Sequence, residues 1–214
     1  MIDSDFIKNS KLSIQNVSRE TLDELNKFSL SIIKKNKDIN LISSGTEKSI
    51  NTRHIIDSAQ SIDFIDKNNI KVCTDLGSGA GLPGIVLSIL MKTKKPQFKV
   101  IFYEKSYHKS NFLKEISKKF KLNTEINRKN IFEQKNLETD IIISRAFKPL
   151  QVIFEIALKN FRKFKYIIMF LGKSGKENLR EASKKWKFNY EEKKSLTSDQ
   201  SLVVKIWNLK KKNG

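Results

Sequence analysis

A glycine-rich turn between Lys71 and Leu90, with the sequence KVCTDLGSGAGLPGIVLSIL, contains the first residues whose spacing suggests chemistry. Its glycines are Gly77, Gly79, Gly81 and Gly84. Glycine lets the backbone adopt positive φ and lets a ligand come close, because it has no Cβ. The segment before the turn predicts a strand, and Pro83 suits the first turn of the apolar helix that follows. We therefore predict a strand, a ligand-binding turn and a buried helix whose free amides hold a polar group.

Two acids accompany this turn, Asp75 at its edge and Glu104 at the end of the next predicted strand. Gly79, Gly81 and Gly84 match G-x-G-x-x-G, and Glu104 lies 20 residues further on, where an acid would bind a ribose. A nicotinamide or flavin dinucleotide fits this pattern. S-adenosylmethionine needs the same ribose-binding acid, but it carries an ammonium and a sulfonium in place of a pyrophosphate. Asp75 would attract those cations, so we prefer S-adenosylmethionine and keep the dinucleotide and a turn that binds nothing as alternatives.

The pattern around the turn predicts the scaffold that positions these residues. Apolar strand segments occur at 72–76, 98–104, 124–128, 140–144, 166–171, 187–194 and 201–208, and helical segments at 83–92, 107–120, 149–161 and 176–186. Strands that alternate with helices indicate a parallel sheet covered on both faces. Only a short polar turn separates the last two strands, so we expect them to pair antiparallel. An antiparallel pair after five parallel strands suits the Rossmann-like α/β fold of class I S-adenosylmethionine-dependent methyltransferases better than a dinucleotide-binding fold, so we expect that fold, with seven strands.

Helices are predicted before the first strand. Residues 1–17 form a short helix or a loose arm, and Ser18 caps a helix that continues through Lys37. A polar connection follows at 38–48, and a second helix is expected from Ile50 to Asp66. We expect residues 1–66 to be a helical extension packed on a methyltransferase domain of residues 67–214, the two forming one structural unit.

Composition limits the class of protein. The chain has 214 residues, a formal net charge of +19 and one cysteine. No apolar run approaches the roughly 18 residues of a membrane span, and the acidic start lacks the features of a signal peptide. We expect a cytoplasmic monomer with no membrane contact, no disulfide and no metal site. The charge favours a nucleic-acid partner, although a general bias towards lysine would also produce it.

Several segments resemble the RsmG (GidB) family, methyltransferases of bacterial small-subunit ribosomal RNA. The resemblance covers most of residues 36–208. It is strongest in DLGSGAGLPGIVLSI at the glycine turn and in ISRAF at 143–147, and it extends to NLISSGTEKSINTRHIIDS at 40–58, EKSYHKSNFL at 104–113 and SLVVKI at 201–206. The family implies methylation of N7 of a guanine in small-subunit (16S) rRNA by S-adenosylmethionine.

Candidate donor-binding residues follow from these segments. The turn residues Gly77, Gly79, Gly81 and Leu82 should surround the methionine and ribose, and Glu104 should accept from the ribose hydroxyls. Two positions depart from the family, which usually has a small or apolar residue and then an acid beside the adenine; here the residues are Lys129 and Asn130. The family's Leu-Lys-Gly after strand five is also changed, because this chain has Leu171-Gly172-Lys173.

Candidate RNA-binding residues lie at the ends of the other strands. Arg145, at the carboxyl end of strand four, would hold either the methionine carboxylate or a phosphate of the target. Phe147 either stacks on the flipped base or packs in the core. His54 either contacts RNA, pins the N-terminal helices to the sheet, or bonds Asp57. Basic residues expected near the mouth are Arg53, Lys105, Lys109, Arg128, Lys129, Lys148 and Lys173.

The reaction implied by the resemblance needs little from the protein besides positioning. Guanine N7 has a free lone pair and no proton, so no general base is required, and we assign no catalytic base. The turn after strand four has Ser144-Arg145-Ala146-Phe147 where methyltransferases of exocyclic amines carry Asn/Asp-Pro-Pro-aromatic. Two alternatives remain: an enzyme of the same fold that modifies a small molecule or protein, and an inactive relative that only binds RNA.

Overall fold

A seven-stranded sheet forms the centre of the computed structural model, which describes residue 2, residues 17–65 and residues 69–212. The described residues form nine strands, seven of which belong to this sheet: β1 (Val72–Leu76), β2 (Lys99–Tyr103), β3 (Thr124–Asn127), β4 (Leu137–Glu138), β5 (Ile141–Arg145), β6 (Phe161–Lys163), β7 (Tyr166–Leu171), β8 (Trp186–Lys194) and β9 (Leu202–Lys211). The sheet order is β3-β2-β1-β5-β7-β9-β8. Its first five strands are parallel, and β9 runs antiparallel to both β7 and β8. The predicted fold class is confirmed.

The part of the chain that the structure describes has six α-helices: α1 (Arg19–Asn36), α2 (Asp57–Ala59), α3 (Gly84–Met91), α4 (Tyr107–Lys119), α5 (Leu150–Asn160) and α6 (Gly175–Lys185). Ser18 caps α1 as predicted, because its hydroxyl accepts the Thr21 N–H at 3.2 Å. The helix α3 begins one residue later than expected. Pro83 precedes it as the N-cap, after a cis Leu82–Pro83 bond. Within the described residues, no helix is both long and apolar enough to span a membrane.

The predicted helix from Ile50 to Asp66 is not a regular α-helix. A 3₁₀ helix (Ser44–Ser49) is followed by a π-helical turn (Asn51–Ile56), by the short α2 and by a second 3₁₀ helix (Gln60–Phe64). Residue 66 lies outside the described residues, as does most of the predicted arm at 1–17. π-Helical turns are rare and occur frequently at functional sites. This one contains Arg53, whose carbonyl accepts from Arg145, and His54, whose Nδ1 accepts from the same guanidinium.

Two hydrophobic clusters cover the two faces of the sheet. The helix α1 buries Leu25, Phe28 and Ile32 in the same cluster as Val86 of α3 and Leu113 of α4. On the other face, α5 and α6 form the second cluster, which includes Phe154, Leu179 and the β8 residue Trp186. The N-terminal helices therefore share a core with the sheet, which holds the segment around His54 against the ends of the strands.

The structure contains one small sheet that the sequence pattern did not predict. The strands β4 and β6 pair in parallel, and β6 includes Phe161, which was expected to end the preceding helix. The strand β5 is also shifted by one residue from the predicted 140–144, so Arg145 is its last residue. This shift matters because it places the guanidinium at the carboxyl edge of the sheet.

Candidate active site

A cavity of about 640 Å³ opens at the carboxyl ends of β1, β2 and β5. Parallel α/β sheets bind their ligands at this edge, where the strand order reverses. Predicted site residues that line the cavity are His54, Gly77, Gly79, Leu82, Glu104, Lys129, Asn130, Arg145 and Phe147. The cavity is therefore the place where most of the candidate residues meet.

Three of the four glycines of the turn have positive φ but different surroundings. The values of φ are +68° at Gly77, +54° at Gly79 and +87° at Gly81. A Cβ at Gly77 would overlap the ring of Phe147, and one at Gly81 would overlap Ile85. At Gly79 a Cβ would meet nothing closer than 3.9 Å. Gly77 and Gly81 are thus required for packing, whereas Gly79 presents bare backbone to the cavity and Gly81 does not line it.

The carboxylate of Glu104 is fixed at the floor of the cavity by two backbone amides. Oε2 accepts the Gly79 N–H and Oε1 accepts the Ser106 N–H, both at 2.8 Å. A carboxylate oxygen has two lone pairs, so each oxygen can accept one further hydrogen bond. Glu104 is consequently oriented by the glycine turn and still able to accept from two hydroxyl groups.

The carboxyl group of Asp75 lies beneath the turn and does not line the cavity, which differs from its expected place at the edge. The residue is 1% exposed, and Oδ2 accepts the Gly84 N–H at 2.9 Å. Oδ1 is buried without a hydrogen-bond partner among the described residues. Burial, with the charge of Glu104 nearby, raises the pKa of Asp75 to about 7. Asp75 therefore anchors the first amide of α3 and would act on a ligand only through space.

Arg145 is held by the N-terminal segment. Its Nε forms an ion pair with Asp57 Oδ2 at 3.2 Å, and Nη2 donates to the carbonyl of Arg53 at 2.8 Å and to His54 Nδ1 at 3.1 Å. Nη2 is thus engaged by two hydrogen bonds, and Nε faces the carboxylate of Asp57. Nη1 has no partner among the described residues, so its two N–H groups remain for a ligand in the cavity.

His54 is neutral and links Arg145 to the preceding 3₁₀ helix. Burial, together with the positive charges of Arg145 and Arg53, lowers the pKa of His54 to about 4. Since Arg145 can only donate, Nδ1 accepts, and the proton is assigned to Nε2, which lies 2.8 Å from Thr46 Oγ1. A bond between His54 and Asp57, one of the alternatives for this histidine, does not form among the described residues; Asp57 has other partners instead.

Asp57 joins the cavity to the distant β8–β9 hairpin. Its Oδ1 accepts from Gln60 Nε2 at 3.0 Å, from Ser195 Oγ at 3.1 Å and from Thr197 Oγ1 at 2.9 Å. The Gln60 side chain in turn accepts the Leu196 N–H at 2.6 Å. Sequence reasoning assigned no role to this hairpin, since nothing in its local pattern shows that it meets a helix more than 130 residues earlier.

The segment after β3 forms another wall of the cavity. Lys129 is exposed there, and the Asn130 side chain accepts the Phe132 N–H at 3.3 Å while donating to Glu133 at 2.6 Å. Asn130 is thus already used to shape its own turn. Phe132 was not singled out from the sequence, although it lines the cavity and is exposed. An aromatic residue in a polar segment after a strand was the signal that could have identified it.

Leu41 and Ile42 also line the cavity and were missed, because residues 38–48 were interpreted only as a polar connection. Asn36 holds them there: its Oδ1 accepts the Leu41 N–H at 2.8 Å and the Ile42 N–H at 3.0 Å. The side chains of Arg53 and Lys173 do not line the cavity. Within the described residues, no group of three or more His, Cys, Asp or Glu could hold a metal ion.

Solved structures resemble the fold. A putative O-methyltransferase from Klebsiella pneumoniae superposes with a TM-score of 0.61 at 9% identity and covers 96% of both chains. The 16S rRNA methylase RmtB superposes with a TM-score of 0.52 at 10% identity, over 89% of this chain and 75% of the other. At such low identities the likeness supports the methyltransferase fold alone.

Sequence relatives are much closer. The chain is 48% identical to a ribosomal RNA small subunit methyltransferase G of Pelagibacter ubique, over 94% of this chain and 95% of the relative. Proteins of the same name match at 34% identity in Ruegeria pomeroyi, covering 89% and 93%, and at 35% in Rickettsia rickettsii, covering 91% and 98%. The family described as GidB, rRNA small subunit methyltransferase G, matches residues 21–203. The chain belongs to the GidB family of rRNA small subunit methyltransferases.

Proposed function

We propose that this protein transfers the methyl group of S-adenosylmethionine to N7 of a guanine in small-subunit (16S) rRNA. The observation that carries the proposal is the cavity in which the glycine turn and Glu104 meet the free edge of Arg145. The relatives' shared name, ribosomal RNA small subunit methyltransferase G, supports rRNA as the substrate. We further propose that the protein acts as a monomer in the cytoplasm.

The residues present fit the methyl donor. Gly79 leaves open space where a side chain would intrude, and the free lone pairs of Glu104 suit the two hydroxyls of a ribose. Leu82 and the backbone beside Lys129 and Asn130 would enclose the rest of the donor. S-adenosylmethionine would supply a methyl group bonded to a positively charged sulfur. On transfer, the sulfur would keep the electron pair of the broken C–S bond and become a neutral thioether.

The chain's residues then orient the acceptor instead of activating it. The lone pair of guanine N7 forms the new N–C bond, and no proton has to be removed. This agrees with His54, whose two ring nitrogens are already engaged by Thr46 and Arg145. Arg145 Nη1 would bind an anionic group, and the rigid support of its guanidinium would preserve the attack geometry. Binding of S-adenosylmethionine to an Arg145→Ala variant distinguishes the donor carboxylate from an RNA phosphate as that anion.

A transfer assay tests the proposal. Purified protein is incubated with methyl-labelled S-adenosylmethionine and small ribosomal subunits, or their naked rRNA, from a strain that lacks this modification. The RNA is then digested to nucleosides. We expect label in 7-methylguanosine. Label in another nucleoside would refute the N7 assignment, and label in a protein or metabolite would favour an enzyme of the same fold with another substrate. RNA binding without donor binding would indicate an inactive relative.

A further inference from the structure

Phe132 is an aromatic side chain at the mouth of the cavity that no part of the proposed mechanism has used. It is 45% exposed and lines the cavity, as do the neighbouring Phe147 and Lys148. Large aromatic side chains are usually buried, so an exposed one beside a binding cavity suggests contact with a ligand. Together these residues form what we term the rim cluster: Phe132, Phe147 and Lys148.

The turn that presents Phe132 is firmly held. Asn160, at the end of α5, is only 2% exposed, and its Nδ2 donates at 2.6 Å to the carbonyls of both Ile131 and Gln134. Asn130 caps the same turn from the other side through the Phe132 N–H. A buried amide spent on two loop carbonyls fixes the backbone on both sides of the ring. The hydrogen-bonded turn therefore holds the Phe132 side chain at the rim of the cavity.

The two rings of the rim cluster have different tasks. Phe147 is half-buried, and its ring occupies the space that a Cβ of Gly77 would need. The Phe132 ring lies 6.4 Å from it, centroid to centroid, at an interplanar angle of 42°. Phe147 thus supports the glycine turn, whereas Phe132 has the more accessible ring.

Within the rim cluster, the ammonium group of Lys148 lies near both aromatic rings. Lys148 Nζ lies 5.9 Å from the centroid of Phe132 and 5.8 Å from that of Phe147. This contact suits a ligand that combines an aromatic base with a phosphate, because the base can replace the ammonium on the ring while the ammonium moves to the phosphate. Methylation at N7 also leaves the purine positively charged, and an aromatic face stabilises such a cation.

We propose that Phe132 is the stacking surface for the target guanine and that Lys148 binds the phosphate beside it. This inference rests on the proposed function and specifies where its RNA substrate binds. The donor's adenine is the competing purine. Its expected place is deeper, between the half-buried Glu104 and the backbone after β3, whereas a base from RNA must arrive from solvent across the exposed rim.

The test measures RNA and donor separately in Phe132 variants. Phe132→Ala and Phe132→Leu should lower kcat/KM for small ribosomal subunits about tenfold or more, since stacking on an aromatic ring is lost in both. Phe132→Tyr should retain most of the activity. Calorimetric Kd values for S-adenosylmethionine should stay within about twofold of wild type. Tyr190→Ala is the matched control, because Tyr190 is 48% exposed on β8 and lies outside the cavity.

The outcomes separate the two levels of inference. A wild-type enzyme that forms 7-methylguanosine, with Phe132→Ala equally active, would overturn the stacking role alone. Weakened donor binding in Phe132→Ala with an unchanged KM for RNA would assign the ring to the adenine instead. Full activity in Phe132→Leu would also overturn the stacking role, because apolar packing without an aromatic ring would then be sufficient. Absence of 7-methylguanosine with the wild-type enzyme would overturn the proposed function itself.

Discussion

At the scale of single residues, Arg145 shows how a side chain becomes part of a site. The sequence predicts an arginine at the end of a strand, and the structure shows that Asp57 pairs with its Nε while His54 and the carbonyl of Arg53 accept from its Nη2. The guanidinium is therefore presented in one orientation. Its side chain is 17% exposed and that of Asp57 is 14% exposed, so the ion pair is only weakly screened by water.

Replacing Arg145 by alanine should reduce methyl transfer by about a hundredfold or more, because an oriented donor is lost from the cavity. The variant should fold, but unfolding in urea should show a loss of about 1–3 kcal/mol, since Asp57 loses its charged partner. Calorimetry with S-adenosylmethionine decides the ligand: weaker donor binding indicates the methionine carboxylate, and unchanged donor binding indicates RNA.

Arg180→Ala is the matched control for this prediction. Arg180 forms an ion pair with Glu177, but its side chain is 69% exposed on α6 and lies outside the cavity. Such surface pairs contribute little to stability, so activity and unfolding should both remain near wild type. Equal activity of Arg145→Ala and Arg180→Ala would remove Arg145 from the site.

Asp75 gives a prediction about pH. Its pKa is raised to about 7 in the folded protein and is about 3.9 in an unfolded chain, so the folded state binds the additional proton between these values. Stability from this group is therefore greatest at low pH and declines as pH rises through about 4 to about 7. The pKa of His54 is lowered to about 4, so its contribution to stability is lost as pH falls from about 6.5 to about 4.

Comparing wild type with Asp75→Asn isolates the first effect, because asparagine retains an acceptor for the Gly84 N–H but does not titrate. The free energy of unfolding, measured in urea at pH 5 and pH 8, should change differently in the two proteins. Relative to the variant, wild type should lose on the order of 1 kcal/mol or more between these pH values. Identical pH dependence would mean that Asp75 keeps an ordinary pKa.

At the scale of elements, the strand–turn–helix unit depends on close packing at the start of α3. A Cβ at Gly84 would overlap the ring of Phe102 and Oδ2 of Asp75. Gly84 is the first residue of the helix, where alanine would normally be preferred by helix propensity. Tertiary contact therefore overrides propensity at this position.

Gly84→Ala should lower the free energy of unfolding by about 1–3 kcal/mol through overpacking. Gly45→Ala serves as control, because a Cβ at Gly45 would meet nothing within 4 Å. Its effect should stay within about 0.5 kcal/mol. Urea denaturation followed by circular dichroism measures both. A Gly84→Ala variant as stable as wild type would show that α3 can shift to accommodate the methyl group.

At the scale of the whole molecule, the net charge of +19 bears on RNA binding through the lysines that lie at the cavity. Lys105, Lys129 and Lys148 are exposed and line its mouth. Exposed lysines also occur at the opposite edge of the sheet. They are Lys159 in the last turn of α5, Lys163 in β6 and Lys187 near the start of β8. The two sets carry the same charge in different places.

Changing Lys105, Lys129 and Lys148 to alanine should weaken binding to rRNA. The slope of log K against log salt concentration should become shallower by about two, since each lost phosphate contact reduces its magnitude by about 0.7–0.9. The triple variant at Lys159, Lys163 and Lys187 has the same net charge and should bind nearly as wild type. Filter binding at several salt concentrations measures both. Equal losses in the two variants would mean that only total charge matters.

The sequence by itself determined the order of strands and helices, the glycine turn and the acid at the end of β2, because these depend on periodicity and backbone preferences between neighbouring residues. Only the tertiary structure decided that Asp75 lies beneath the turn, that Asp57 joins Arg145 to the β8–β9 hairpin, and that Phe132 reaches the mouth of the cavity. Such contacts join residues far apart in the chain. They follow from the spatial order of the strands within the sheet and from the π-helical turn, and no local sequence pattern encodes either of these.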